Sequence, residues 1–126
     1  MILIDSDILI WILRGRTDVR DTLALLLGKT ENRLFITPIQ MAEIYAGLKE
    51  KEKIDTSLFL NSLQCLAVDS DVGRLAGEYL RLYKKSHGIA MADALIGACA
   101  KIHGMKLWTL NVKHYPMLAR DEFFNE

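Results

Sequence analysis

The sequence predicts an α/β fold, a three-layer α/β/α sandwich with a mostly parallel central sheet. Four short segments, residues 2–4 (ILI), 34–36 (LFI), 65–68 (CLAV) and 107–110 (LWTL), are runs of apolar residues rather than alternating ones, as strands covered on both faces are. Between them lie stretches with helix start and stop signals, the order expected of parallel strands joined by helical crossovers. Half of the residues (51%) are apolar and a quarter (25%) charged, a balance that favours a packed core over disorder.

Taken in order, the first strand leads into a helix through Ile8–Leu13 that is apolar on every side. One flank of it suits the sheet, and the other needs a second cover, which a helix around Leu23–Leu27 or a partner protein would supply. Thr37-Pro38-Ile39-Gln40 is a capping box with Pro in the first turn, and it starts a helix expected to reach about Lys49. The KEKEK run from Lys49 to Lys53 is read as a solvated helix end without a function of its own. Asp69 or Ser70 caps a helix through Arg81–Lys85 that stops at Gly88, and a helix from Ala92 to His103 stops at Gly104. The pair Tyr79 and Tyr83, one turn apart, is read as core packing.

At 126 residues the chain is expected to form one domain over 1–126. Asp5 and Asp7 interrupt the apolar start, which excludes a membrane span and does not suit a signal peptide. Cys65 and Cys99, far apart and without a nearby ligand pattern, read as reduced thiols of a cytoplasmic protein. With 16 basic and 16 acidic residues the chain has no global footprint of a nucleic-acid binder, so any such substrate is held locally.

The chemistry concentrates in three acids. Asp5 closes the first strand, and the carboxyl ends of parallel strands are where ligands bind. Asp93 falls in the first turn of its helix, where the dipole favours a carboxylate. Glu43 has Ile39, Gln40, Ala46 and Gly47 as helical neighbours, and Asp93 has Ile89, Ala90, Ile96 and Gly97, so neither has a cation at helical spacing. Carboxylates against apolar surface are costly to keep charged unless something neutralises them. Acids from separate elements, without His or Cys, suit Mg²⁺ or Mn²⁺ rather than zinc. Asn111, one residue past the expected end of the last strand, adds a side-chain carbonyl as a further candidate, and Thr109 is a candidate to orient it. Ser6 reads as the cap of the first helix and Asp7 as a complement to its dipole.

ILIDSDILI, TPIQMAEIYAGL, IAMADALIGACA and LWTLNVKHY together resemble the PIN-domain family, in particular the VapC-type toxins of prokaryotic toxin–antitoxin pairs. The four segments span almost the whole chain in the family's order. The resemblance implies a PIN-like parallel sheet flanked by helices, Mg²⁺- or Mn²⁺-dependent cleavage of RNA, and a homodimer inhibited by a small antitoxin. It implies that Asp5, Glu43 and Asp93 are the acidic metal positions. A fourth position is frequently Asp in the family and is Asn111 here, and His114 stands where another acid is often seen.

The reading that follows is of a metal-dependent endoribonuclease in which Asp5 and Asp93 ligate the ion, Glu43 completes the shell or orients water, and Asn111 assists as a neutral group. Trp11 is a candidate anchor for the antitoxin, and Arg14, Arg16, Lys84, Lys85 and Lys113 are candidates to grip RNA phosphates. Three rivals stand beside it. A haloacid-dehalogenase-like phosphotransfer enzyme would use Asp5-Ser6-Asp7 as nucleophile and acid. A receiver domain would need a Lys where Asn111 stands. A catalytically silent PIN-like module would only bind a partner or RNA.

Overall fold

The computed structural model describes residues 1–30 and 33–125. Within them the chain runs β1 (Ile2–Ile4), α1 (Ser6–Leu13), α2 (Thr17–Thr30), β2 (Leu34–Ile36), α3 (Pro38–Ala46), α4 (Lys53–Asn61), β3 (Gln64–Cys65), α5 (Ser70–His87), α6 (Met91–His103) and β4 (Lys106–Trp108). The four strands pair in parallel in the order β3-β2-β1-β4, with Leu3 opposite Phe35 on one side and Leu107 on the other.

Alternation along the strands divides the core into two. Ile2, Ile4, Leu34, Ile36 and Trp108 pack with Ile8, Leu9 and Ile12 of α1, Val19 and Leu23 of α2, Ile44 of α3 and Leu60 of α4. Leu3 and Leu107 face the opposite way, onto Val72, Ala76 and Tyr79 of α5 and Ala94, Ile96 and Ala98 of α6. A sheet covered by α1–α4 on one face and by α5 and α6 on the other is the expected three-layer sandwich. Gly88 and Gly104 end α5 and α6 in left-handed conformations (φ 60° and 62°), as their positions predict.

Three expectations need correction. The helix from Thr37 stops at Ala46, capped by Gly47, rather than near Lys49. The Lys/Glu run beyond it forms a 3₁₀ turn at Glu50–Glu52 and opens α4, a helix that the sequence hides. Thr56 and Leu60 are its buried residues while Ile54 and Leu58 point outward, which blurs the apolar stripe by which a helix is recognised. The outer strands are displaced: β3 is Gln64–Cys65 rather than 65–68, and β4 is Lys106–Trp108 rather than 107–110. Leu66 still donates its N–H to the Ile36 carbonyl at 2.8 Å, but Leu66 and Val68 turn into the α5/α6 core. Beyond β4, Phe123 bridges Leu107 in parallel and the Phe124 N–H donates to the Leu107 carbonyl at 2.8 Å, so the C-terminal segment covers the β4 edge.

The strand order positions the site. From β1 the chain builds outward through β2 to β3, then crosses back to place β4 on the other side of β1. The loops leaving β1 and β4 therefore diverge at their carboxyl ends and open a crevice at the point of reversal, the place in such sheets where ligands bind.

Candidate active site

Asp5 and Thr109 are the first residues after β1 and β4, so both lie at that crevice. Asp5 is almost buried and is the N-cap of α1, its Oδ1 accepting from the Ser6 N–H at 2.8 Å. Its Oδ2 accepts from the Thr109 hydroxyl at 2.9 Å and from the Tyr115 hydroxyl at 2.7 Å. The same Tyr115 hydroxyl lies 3.3 Å from Asp93 Oδ1, in the first turn of α6. Glu43 comes from α3 across the mouth, and its Oε1 accepts from the Ser6 hydroxyl at 3.0 Å.

The capping box positions Glu43. Thr37 and Gln40 are fully buried and bonded to each other through their side chains, with the Thr37 N–H donating to Gln40 Oε1 at 3.0 Å. Gln40 then reaches out of its own helix and donates from Nε2 to the Ile4 carbonyl at 3.0 Å. The start of α3 is thereby tied to the end of β1, three residues before Glu43 and one before Asp5.

Asp7 organises the opposite lip. Its Oδ2 accepts from the Leu110 N–H at 2.9 Å, from Asn111 Nδ2 at 3.1 Å and, more distantly, from the Thr109 hydroxyl at 3.3 Å. The Asn111 N–H in turn donates to Thr109 Oγ1 at 3.0 Å. Asp7 thus folds the loop after β4 against the start of α1.

Electrostatically the site is under strain from like charge. Burial pushes the carboxyls of Asp7, Glu43 and Asp93 above their ordinary values, and the Asp5 charge adds to the shift in all three. Glu43 is raised further by Asp93 and Asp7, so the four acids share one field. Burial and the flanking acids hold the Tyr115 phenol far above its ordinary range, which keeps it a proton donor. The imidazole close to Asp93 is that of His114, whose Nδ1 is 3.4 Å from Oδ2. The Lys and Arg ion pairs formed among the described residues all lie elsewhere. An all-oxygen donor set, short of positive charge and partly withdrawn from water, fits a hard divalent cation. As the side chains stand, no three acid, His or Cys groups among the described residues are drawn together closely enough to hold an ion.

Against the sequence expectations, Asp5, Glu43 and Asp93 all stand at the same rim. Two lesser assignments change. Asp5, not Ser6, caps α1, which frees the Ser6 hydroxyl for Glu43; and Asp7 holds the β4 loop rather than merely complementing a dipole. Asn111 lies three residues past the end of β4 and turns its amide nitrogen to Asp7. Tyr115 was not foreseen, because an aromatic after LWTLNVKH reads as core and its hydroxyl gives no signal of its own. Of the cationic candidates, Arg14 lines a cavity of about 240 Å³ that also includes Glu43 and Lys49. Arg16 pairs with Asp18 and lies over the Trp11 ring at 5.1 Å, while Lys84 and Lys85 are exposed in the last turn of α5.

Comparison with known proteins decides the family. The model of the PIN domain matches residues 2–115. The chain belongs to the PIN-domain family. This PIN domain is 36% identical over 121 residues to Ribonuclease VapC10 of Mycobacterium tuberculosis, covering 95% of this chain and 90% of that protein. It is 34% identical over 118 residues to Ribonuclease VapC19 of the same organism, covering 93% and 94%. Among solved structures, it superposes on VapBC2 from Rickettsia felis bound to a promoter DNA fragment with a TM-score of 0.75 and 25% identity, covering 94% of this chain and 96% of that one. A toxin–antitoxin complex from Klebsiella pneumoniae matches the fold at a TM-score of 0.80 with 21% identity, covering 99% and 97%. The family match leaves the phosphotransfer and receiver readings without support.

Proposed function

We propose that this PIN domain, acting as one unit over residues 1–126, is a Mg²⁺- or Mn²⁺-dependent endoribonuclease and the toxin of a toxin–antitoxin pair. The observation that carries the reading is the set of acids gathered at the β1/β4 crevice, where burial first and the neighbouring acids second raise Asp7, Glu43 and Asp93, and where no lysine or arginine among the described residues is paired to them. Identity above 30% along nearly the whole length to proteins named as VapC ribonucleases supports the RNA substrate. A bound cation would supply electrophilic stabilisation of charge developing on phosphate oxygens and make a water more acidic. Asp5 and Asp93 would hold it, with Asp5 fixed by three hydrogen bonds and Asp93 by Tyr115 and His114. Glu43, steadied by Ser6, would complete the shell or orient the attacking water. Asn111 would act through Asp7, keeping the β4 loop folded against α1, and Arg14, which lines a cavity with Glu43, and Lys113, exposed in the turn after Asn111, are candidates to meet phosphates.

A partner is supported by what the fold leaves uncovered. Ile54 and Leu58 on α4 are 76% and 67% exposed, and Leu27 on α2 is 46% exposed. Leu27 lines a groove of about 490 Å³ with Leu13, Leu23 and Phe59 and with Arg20 and Asp55 among its polar residues, and Ile54 and Leu58 are chain neighbours of its α4 wall. An apolar face of a small antitoxin would cover this surface, and a second copy of the chain would form the homodimer. Among the described residues no helix is long and apolar enough to cross a membrane. Two free thiols suit the reducing cytoplasm, where RNA is found.

The test is RNA cleavage with Mg²⁺, with Mn²⁺ and with chelator. Cleavage that depends on the cation and is abolished by Asp93→Asn supports the proposal. Cleavage that survives both refutes it, and no cleavage by a chain that still binds RNA identifies a silent module.

A further inference from the structure

The ring of Tyr115 is buried (1% exposed) and seated tightly. It meets Phe123 edge-on at 6.4 Å, and a Cβ at Gly97 would stand 3.5 Å from its Cδ1 and 2.9 Å from the sulfur of Met117. Gly97 is one helical turn past Asp93, so its bare backbone lets the ring lie against the face of α6 that presents the acid. The ring therefore has little freedom, and its hydroxyl is delivered to a fixed point between Asp5 Oδ2 at 2.7 Å and Asp93 Oδ1 at 3.3 Å.

We propose that Tyr115 is a positioning residue that fixes the spacing of Asp5 and Asp93 and, with Thr109, leaves Asp5 a single oxygen to offer, so that the site discriminates against Ca²⁺. The inference rests on the cation reading above and adds a selectivity to it. A carboxylate oxygen has two acceptor positions, and Asp5 Oδ2 receives two hydroxyl donors, from Tyr115 and from Thr109. Oδ1 receives only the Ser6 N–H and keeps one position free. Asp5 is thereby confined to ligation through one oxygen. Mg²⁺ is satisfied by one or two carboxylates and several waters, whereas Ca²⁺ gathers six to eight oxygens and gains from carboxylates that bind through both. The single Tyr115 proton is directed chiefly at Asp5 Oδ2 and more weakly at Asp93 Oδ1, so the hydroxyl spans both acids while Asp93 keeps lone pairs for other partners.

The experiment titrates Mn²⁺ into the full chain by calorimetry or electron paramagnetic resonance, with Mg²⁺ and Ca²⁺ ranked by competition, for the wild type, Tyr115→Phe and Thr109→Val. Loss of an oriented outer-shell partner weakens metal binding about tenfold or more, and that loss is expected for Mn²⁺ with Tyr115→Phe. Both variants are expected to narrow the preference for Mg²⁺ over Ca²⁺, a change that a merely structural role of the ring does not produce. Unchanged affinity and preference in Tyr115→Phe overturn the proposal, as does a Tyr115→Phe chain that fails to fold, which would make the hydroxyl structural. In that last case Thr109→Val still reports on Asp5 Oδ2, and an unchanged preference in it would refute the single-oxygen argument as well. A wild-type chain that takes up no Mn²⁺ refutes the cation reading itself, a different result from either.

Discussion

Gln40 Nε2 donates to the carbonyl oxygen of Ile4 at 3.0 Å, and through that bond the helix that carries Glu43 is fastened to the strand that delivers Asp5. Both residues are fully buried. Gln40→Leu keeps the volume and removes the bond, leaving the Thr37 N–H and the Ile4 carbonyl without their side-chain partner. Each buried group left unpaired costs about 1–3 kcal/mol. Chemical denaturation is expected to show a loss in that range, and RNA cleavage to fall further than stability alone explains, because Glu43 is no longer referenced to Asp5. A variant with wild-type cleavage would show that the tie does not position the site.

Asn111 holds Asp7 by donating from Nδ2 at 3.1 Å, a role open to the amide and closed to a carboxylate. Asn111→Asp therefore replaces a donor with a negative charge facing Asp7, whose own carboxyl is already raised by burial and by Asp5. The cation-free variant is expected to melt below the wild type, and added Mn²⁺ to recover more of the melting temperature in the variant than it adds to the wild type. A variant as stable as the wild type without cation would contradict the loop-holding role.

Much of this was legible in the sequence, and what was not has identifiable causes. The capping box at Thr37, the glycine stops at 88 and 104 and the apolar strands were readable because each is a local signal with its own steric or hydrogen-bonding reason. Glu43 and Asp93 were readable because their helical neighbours could not neutralise them, and Asp5 because it closes the first strand. The helix α4 was hidden because Ile54 and Leu58 face outward, which breaks the apolar stripe by which a helix is recognised. Asp7, Ser6 and Tyr115 were undervalued because their bonds span up to 110 positions of sequence, and no local pattern encodes them.

Asp7, Glu43 and Asp93 have folded-state values above their ordinary ones, so the folded chain without cation binds more protons than the unfolded chain between the two. Their contribution to stability is full below the ordinary values of 3.8 and 4.5 and is lost as pH rises through the raised ones. A cation requires the deprotonated acids, so its effect runs the other way. The rise in melting temperature on adding Mn²⁺ is expected to be larger at about pH 7 than at about pH 4.5, close to the ordinary values of these acids, and to shrink in Asp93→Asn. A rise independent of pH would place the cation away from these acids.

The two cysteines offer a check on the packing. Cys99 is fully buried in α6 and burial pushes its thiol up to about 11, whereas Cys65 is exposed at the end of β3. Brief alkylation of the native chain at neutral pH is expected to modify Cys65 alone, with Cys99 reacting only after denaturation. Equal modification of both in the native state would show that the α5/α6 layer is not packed as described.

The central claim is that Asp5, Glu43 and Asp93 serve one cation at the β1/β4 crevice. Crystals soaked in Mn²⁺ and measured for anomalous scattering test it most directly. A peak is expected within coordination distance, about 2.0–2.3 Å, of carboxylate oxygens of both Asp5 and Asp93. A peak on another face of the molecule, or none at a Mn²⁺ concentration that supports cleavage, would contradict it.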